Sequence, residues 1–260
     1  MLILGYILLG AVAGFTAGVF GIGGGIIIVP TLIFAFTYLH FSPEVIAHLA
    51  VGTSLSTILF TSLSAIYVHY KKFNIDWSLS IKLSIGMLFG GFIGAYVAEY
   101  LSSAMLQRVF AIYAILVALQ MWFSWLPKAS LVLPKKLGCS LLGGAIGIVS
   151  GVFGIAGGTL VVPILTLYRV KMTQAIATSS VTGVAISLSG SIGYIWMGWH
   201  NQALPAESFG YVYWPAMLGI ILSSTIFAKL GAKLAYNLPA NILKKLFSML
   251  LLIIAAKLFL

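Results

Sequence analysis

The sequence is short of charge. Only 7% of its 260 residues are Asp, Glu, Lys or Arg, and only 4 of these are acidic. Soluble domains carry about 25% charged residues, so a water-covered surface is excluded for a chain this apolar. Cysteine occurs once, at Cys139, which rules out a disulfide framework and a thiolate metal site. H-E-x-x-H, G-x-S-x-G and Walker A patterns are missing. The common hydrolytic chemistries and nucleotide-driven work therefore have no basis here, and no enzyme activity, metal or cofactor is called for. Any active process must run on an ion gradient or on the solute's own gradient. The apolar stretches do not alternate with polar residues, so a β-barrel is excluded too.

What remains is hydrophobic: 61% of the residues, with a mean hydropathy of +1.13. Apolar segments fall at 2–20, 25–40, 46–70, 79–100, 105–126, 137–153, 158–168, 174–198, 212–234 and 242–260. Ten such segments predict an all-α membrane protein. The first stretch lacks a basic n-region and reads as a retained membrane segment. If each segment crosses, or dips in and returns, one side collects Lys71, Lys72, Lys82, Lys128, Lys135, Lys136, Arg169, Lys171, Lys229, Lys233, Lys244 and Lys245. The other side keeps Arg108 and Lys257. Basic residues mark the cytoplasmic face, so both termini are expected outside a prokaryotic cell membrane. Topology, not nucleic-acid binding, accounts for the net charge of +10. Trp77, Trp122, Trp125, Trp199 and Trp214 sit near segment ends, as interfacial aromatics do.

The chain is also written twice. "GVFGIGGGIIIVPTL" (18–32) matches "GVFGIAGGTLVVPIL" (151–165) at ten of fifteen positions. "AVGTSLST" (50–57) pairs with "AIATSSVT" (175–182), and "GAYVAEYLSSAMLQRVF" (94–110) with "GAKLAYNLPANILKKLF" (231–247). Each half holds five segments in one order. Five is odd, so the second half enters the membrane from the opposite side, as an inverted-topology repeat. The halves are expected at 1–126 and 137–260, joined by a cytoplasmic linker at 127–136 and packed as one membrane domain. Glycines four apart, Gly10, Gly14 and Gly18 and then Gly86, Gly90 and Gly94, predict close helix packing.

A second glycine pattern is different. Gly21, Gly23, Gly24 and Gly25 cluster at a segment boundary, as do Gly154, Gly157 and Gly158. The short segments that follow contain Pro30 and Pro163, each of which frees a carbonyl one turn back. Hydrocarbon does not tolerate unpaired backbone, so such breaks must be buried in protein or line a polar cavity. Short segments interrupted by Gly and Pro, in matching places of two halves, point to a transporter's binding site. A helix starting at such a glycine presents free N–H groups and a positive dipole end, and therefore suits an anion. The same glycines also suit a tight helical hairpin. Thr53 and Ser54, with their matches Thr178 and Ser179, add hydroxyl donors or simply bond back to their own helices. His48 and His69 are the candidates for a proton relay, though neither recurs in the second half.

The paired "GVFGIGGGIIIVP" and "GVFGIAGGTLVVP" resemble the signature of the sulfite exporter TauE/SafE family of membrane permeases. The resemblance covers essentially the whole chain. It implies outward movement of a small sulfur oxyanion or sulfonate, such as sulfite or sulfoacetate. It carries over onto Gly21, Gly24, Gly25 and Pro30 and onto Gly154, Gly157, Gly158 and Pro163. Ala156 departs from the pattern, where the first half has Gly23. The expected partners are thus a small anion, the lipid bilayer and protons, with no nucleic acid; the sequence sets no oligomeric state. The rival readings are an anion channel built on the same amides and a carrier of a different small solute.

Overall fold

The structure is a computed structural model that describes residues 2–20, 24–72, 75–123, 131–235 and 240–259. Ten helices are described: α1 Leu2–Phe20, α2 Gly25–Tyr38, α3 Ile46–Lys72, α4 Trp77–Glu99, α5 Ser103–Phe123, α6 Lys136–Phe153, α7 Gly158–Leu167, α8 Met172–Gly198, α9 Trp214–Ala235 and α10 Ala240–Phe259. Their bounds follow the expected apolar segments to within a few residues. Five of the helices (α4, α5, α6, α8 and most of α3) are long and apolar enough to cross a membrane. At about 1.5 Å per residue, α2 and α7 reach only part of the way across. One feature was not expected from the sequence. A small antiparallel hairpin, β1 Ser208–Phe209 and β2 Val212–Tyr213, stands between α8 and α9.

Local chemistry sets several boundaries. The Asp76 carboxylate accepts from Leu79 N–H at 3.0 Å and caps the start of α4. The short helices α2 and α7 end alike: Phe41 N–H reaches back to Phe36 O and Val170 N–H to Leu165 O, both at 3.1 Å. This 6→1 closure, with His40 and Arg169 in the left-handed region, is a Schellman cap. So the short helices match at their ends as well as in their sequence.

Packing crosses the midpoint of the chain. α1 packs on α9, α4 on α6 and on α8, α3 on α8 and on α9, and α5 on α10. Exchanging α1–α5 for α6–α10 carries each of these pairs onto itself or onto another pair. Glycine allows the tightest approaches. A Cβ on Gly10 would stand 2.7 Å from Ile220 Cα, and one on Gly14 2.5 Å from Ser224 Cα. On α4, a Cβ at Gly90 would lie 2.9 Å from Ile148 N, and one at Gly94 2.9 Å from Gly151 Cα. Contact numbers rise together in both pairs, so these helices run parallel.

α3 and α8 do the opposite. Gly52 meets Tyr194, Ser56 bonds Ser191 at 3.1 Å, Leu55 meets Gly190, and Ser62 meets Gly183. The numbers rise on one helix as they fall on the other. These two helices carry the matching "AVGTSLST" and "AIATSSVT" stretches, and they pack antiparallel at the centre. That is the relation an inverted repeat requires of its equivalent helices. Four of the expected interfacial tryptophans lie at helix ends with exposed rings: Trp77 and Trp214 open α4 and α9, Trp122 is near the end of α5, and Trp199 follows α8; Trp125 lies outside the described residues.

The α4–α6 contact makes a sharp prediction. Gly90→Ala forces backbone apart and should cost about 1–3 kcal/mol, read as a lower apparent melting temperature in detergent. Gly144→Ala lies in the same interface, but its nearest contact would be Gly86 O at 3.7 Å. It should leave the melting temperature unchanged.

Candidate functional site

The first break turns at Gly24, whose φ of 72° is left-handed and suits a residue without a Cβ. α2 starts at the next residue. Ile27 and Ile28 N–H both bond Gly24 O at 3.0 Å, which leaves Gly25 and Ile26 N–H without an intrahelical partner. The second break turns at Gly154, with φ 65°, where α6 closes as Ile155 N–H bonds Ser150 O. α7 then starts, with Leu160 and Val161 N–H bonded to Gly157 O. By the same geometry, Gly158 and Thr159 hold free N–H groups. No side chain caps either helix start, so these positive dipole ends have no built-in acceptor of their own.

The two breaks meet. A Cβ on Gly25 would lie 2.9 Å from Ile155 Cα, and the Ser54 hydroxyl donates to Gly154 O at 2.8 Å. Gly157 is two residues beyond Ile155, so the starts of α2 and α7 lie within about 12 Å of each other. Their depth is set by the central pair. Gly25 faces Ile58, near the middle of α3, while Gly157 faces Thr182 and Ile186, near the middle of α8. Gly24, Gly25, Gly154, Gly157 and Gly158 are all buried. Gly21 and Gly23 lie outside the described residues. Pro30 and Pro163 sit inside α2 and α7, beyond the breaks.

The expected hydroxyls behave unequally. In the first half both are engaged across the midpoint: Ser54 with Gly154 O, and Thr53 Oγ1 accepting from Tyr213 N–H at 2.9 Å. In the second half Ser179 bonds back to Ile176 O at 2.8 Å, and the Thr178 hydroxyl is fully buried with no partner. Thr182 stands closer to the α7 start than either, 3.2 Å from where a Gly157 Cβ would be. Sequence reasoning missed it, although Thr57 and Thr182 close the matched octapeptides. Two further groups were missed at this end. Tyr113 donates to Thr159 Oγ1 at 3.0 Å, and the buried Ser150 hydroxyl has no partner. Tyr113 lies on the glycine-free, apolar α5 and Ser150 on the glycine-striped α6, and neither helix gave a local signal. Every side chain named around the breaks is uncharged.

His48 lies elsewhere, near the start of α3 and 4% exposed. Its Nε2 is 2.9 Å from Ala98 O. A carbonyl only accepts, so Nε2 carries the proton. Nδ1 is buried, has no partner and carries the ring's lone pair. The ring lies against Tyr211, centroids 5.1 Å apart. Tyr211 donates to Glu99 Oε1 at 3.2 Å and accepts from Asn201 Nδ2 at 3.0 Å. Burial pushes the Tyr211 phenol up to about 12, so it stays a donor to Glu99. Glu99 is half-buried within this cluster. His69 is on α3, and its side chain lies outside the described residues. Among the described residues no group of His, Cys, Asp and Glu is arranged to hold a metal.

Comparison with known proteins agrees with this architecture. A "probable membrane transporter protein" of Haemophilus influenzae is 37% identical over 98% of this chain and 97% of its own length. One from Methanocaldococcus jannaschii is 31% identical over 94% of the chain and 91% of its own. A third, from Bacillus subtilis, is 28% identical over 97% and 95%. No solved structure matches the chain. Residues 6–258 match the family described as "Sulfite exporter TauE/SafE". With that span matched from α1 to α10, the chain belongs to the sulfite exporter TauE/SafE family and is an integral membrane transporter.

Proposed function

We propose that the protein is a secondary carrier that moves a small oxyanion, of the sulfite or sulfonate class, out of the cell by alternating access. One observation carries this reading. Two helix starts stripped of side chains meet at the middle of two antiparallel central helices. Uncapped N–H groups at Gly25, Ile26, Gly158 and Thr159 offer an oxyanion several donors. The unpartnered Ser150 hydroxyl adds a donor without adding charge, and Thr182 and Thr159 add theirs by turning from Ser179 O and Ala156 O, to which they now donate. Two positive dipole ends oppose a cation at this depth. Fixed charges are not needed, and a carrier that must release its anion gains from their absence.

Contact between the breaks favours a carrier over a channel. Gly25 packs directly on Gly154 and Ile155, so the path is closed at mid-depth and must rearrange to pass a solute. The inverted halves supply two equivalent arrangements for that change. His48, with its bare Nδ1, is the residue through which a proton would be exchanged for the anion. By the charge bias, the α8–α9 hairpin lies on the outer face and the Lys135–Lys136 linker in the cytoplasm.

Counterflow in proteoliposomes tests the carrier. Vesicles loaded with unlabelled sulfite should take up labelled sulfite saturably, and sulfoacetate should compete better than a simple carboxylate. Absence of trans-stimulation with folded protein overturns the proposal. Thr182→Val removes one donor to a charged ligand and should raise the half-saturating concentration about tenfold, with the folded yield unchanged.

The topology has its own test. In a Cys139→Ser background, Lys136→Cys should react with a membrane-impermeant maleimide only in inside-out vesicles. Reaction in right-side-out vesicles reverses the orientation.

A further inference from the structure

Thr53 and Thr178 occupy the same place in the two halves, yet only one of them is bonded. The partner of Thr53 is the backbone N–H of Tyr213, the residue just before α9. Its equivalent in the first half is Asp76, just before α4. Trp77 and Trp214 open these two helices, and the same offset aligns the 94–110 and 231–247 stretches. Thr178 is fully buried, and its hydroxyl has no partner. A buried hydroxyl left unbonded costs about 1–3 kcal/mol. Such a cost is retained where another state of the molecule satisfies the group.

We infer that Thr53 and Thr178 are alternating latches, and that in the second state Thr178 Oγ1 accepts from Asp76 N–H as the Thr53–Tyr213 bond breaks. This rests on the carrier reading and states what holds each of its two ends shut. The positions suit it. α3 and α8 are antiparallel, and Thr53 lies level with residue 193 of α8. Thr178 is 15 residues from that level, about 22 Å along the axis at 1.5 Å per residue. The two latches therefore stand toward opposite ends of the central pair: Thr53 beside Ser54, which bonds the break at Gly154, and Thr178 one turn from Thr182, which faces Gly157. The Asp76 carboxylate caps Leu79 N–H, and its carbonyl accepts from Ser80 N–H at 2.9 Å. Its own N–H is the group that corresponds to the Tyr213 donor.

The structure shows the hairpin end closed. Tyr213 N–H is on Thr53, and the Tyr213 ring is packed against Tyr6, Phe36 and Phe41 at centroid distances of 5.3–6.2 Å. Tyr211 N–H also bonds Tyr194 O at 3.1 Å. Asp76 has no ring to offer the opposite end. Closure at the hairpin thus has ring packing that Asp76 cannot supply at the other end, and it should be the more populated of the two.

The test reads the closure directly, without substrate. Ser56→Cys, in a Cys139→Ser background, places a thiol one helical turn inward from Gly52, where α3 meets the hairpin. Right-side-out vesicles are treated with a membrane-impermeant charged maleimide. Thr53→Val should speed labelling about fivefold, the effect of one net hydrogen bond on a two-state balance. Thr178→Val should slow it by a similar factor, because it weakens only the hairpin-open state. The double variant should return to the parent rate. Unchanged labelling in Thr178→Val, or a shift of both single variants in one direction, overturns the proposal. Lost counterflow with unchanged labelling in Thr178→Val would place that hydroxyl on the substrate instead. Absence of counterflow in the parent protein, with opposite labelling shifts retained, would remove the carrier reading and leave the latches standing.

Discussion

Hydrocarbon gives an unpaired backbone group nowhere to go. That constraint governs this protein, because its chain breaks two helices at membrane depth. Each break exposes N–H groups that lipid cannot satisfy. The fold answers by setting both breaks against each other and enclosing them with α3 and α8. Glycine at Gly25 and Gly154 lets the two backbones touch, and Ser54 ties the second break to α3. The same contacts that shield the amides from lipid also gather them in one place. Burial of the breaks and the gathering of their free amides thus have a common origin.

The halves are equivalent in sequence and unequal in bonding. Thr53 and Ser54 reach across to the second half, while Thr178 stays unbonded and Ser179 turns back on its own helix. Around Tyr213 the second half has aromatic packing, and its hairpin brings Tyr211, Asn201 and Glu99 into one polar cluster beside His48. The first half offers Asp76 at the matching place. A pseudo-symmetric carrier needs both its end states within a few kcal/mol of each other. On the carrier reading proposed above, unequal decoration of equal scaffolds would set which end state is the more populated.

Much of this was legible from residues alone, and the reason is physical. Membrane helices announce themselves by length and apolarity, and the breaks by clustered glycine, so the ten segments and both turns follow from the sequence. The close-packing role of Gly10, Gly14, Gly90 and Gly94 follows from their spacing of four. Thr182 was missed because its significance depends on the approach of Gly157 from another helix. The roles of Thr53 and Ser54 were incomplete for a related reason. A hydroxyl's partner is a tertiary fact, and nothing near Thr53 in the chain points to the amide of Tyr213, 160 residues away. The hairpin at 208–213 is four strand residues long in all, too short to leave a periodic pattern.

The parallel glycine contacts carry a consequence for synthesis. α1 finds its close partner in α9, and α4 finds its own in α6. Neither glycine face can be covered until a helix from the second half has left the ribosome. The first five helices must therefore wait in the bilayer as an incomplete assembly with two small-residue grooves facing lipid. Maturation then proceeds by interleaving: α6 slots beside α4, and α9 beside α1 nearly eighty residues later. Each half thus draws its closest helix contacts from the other.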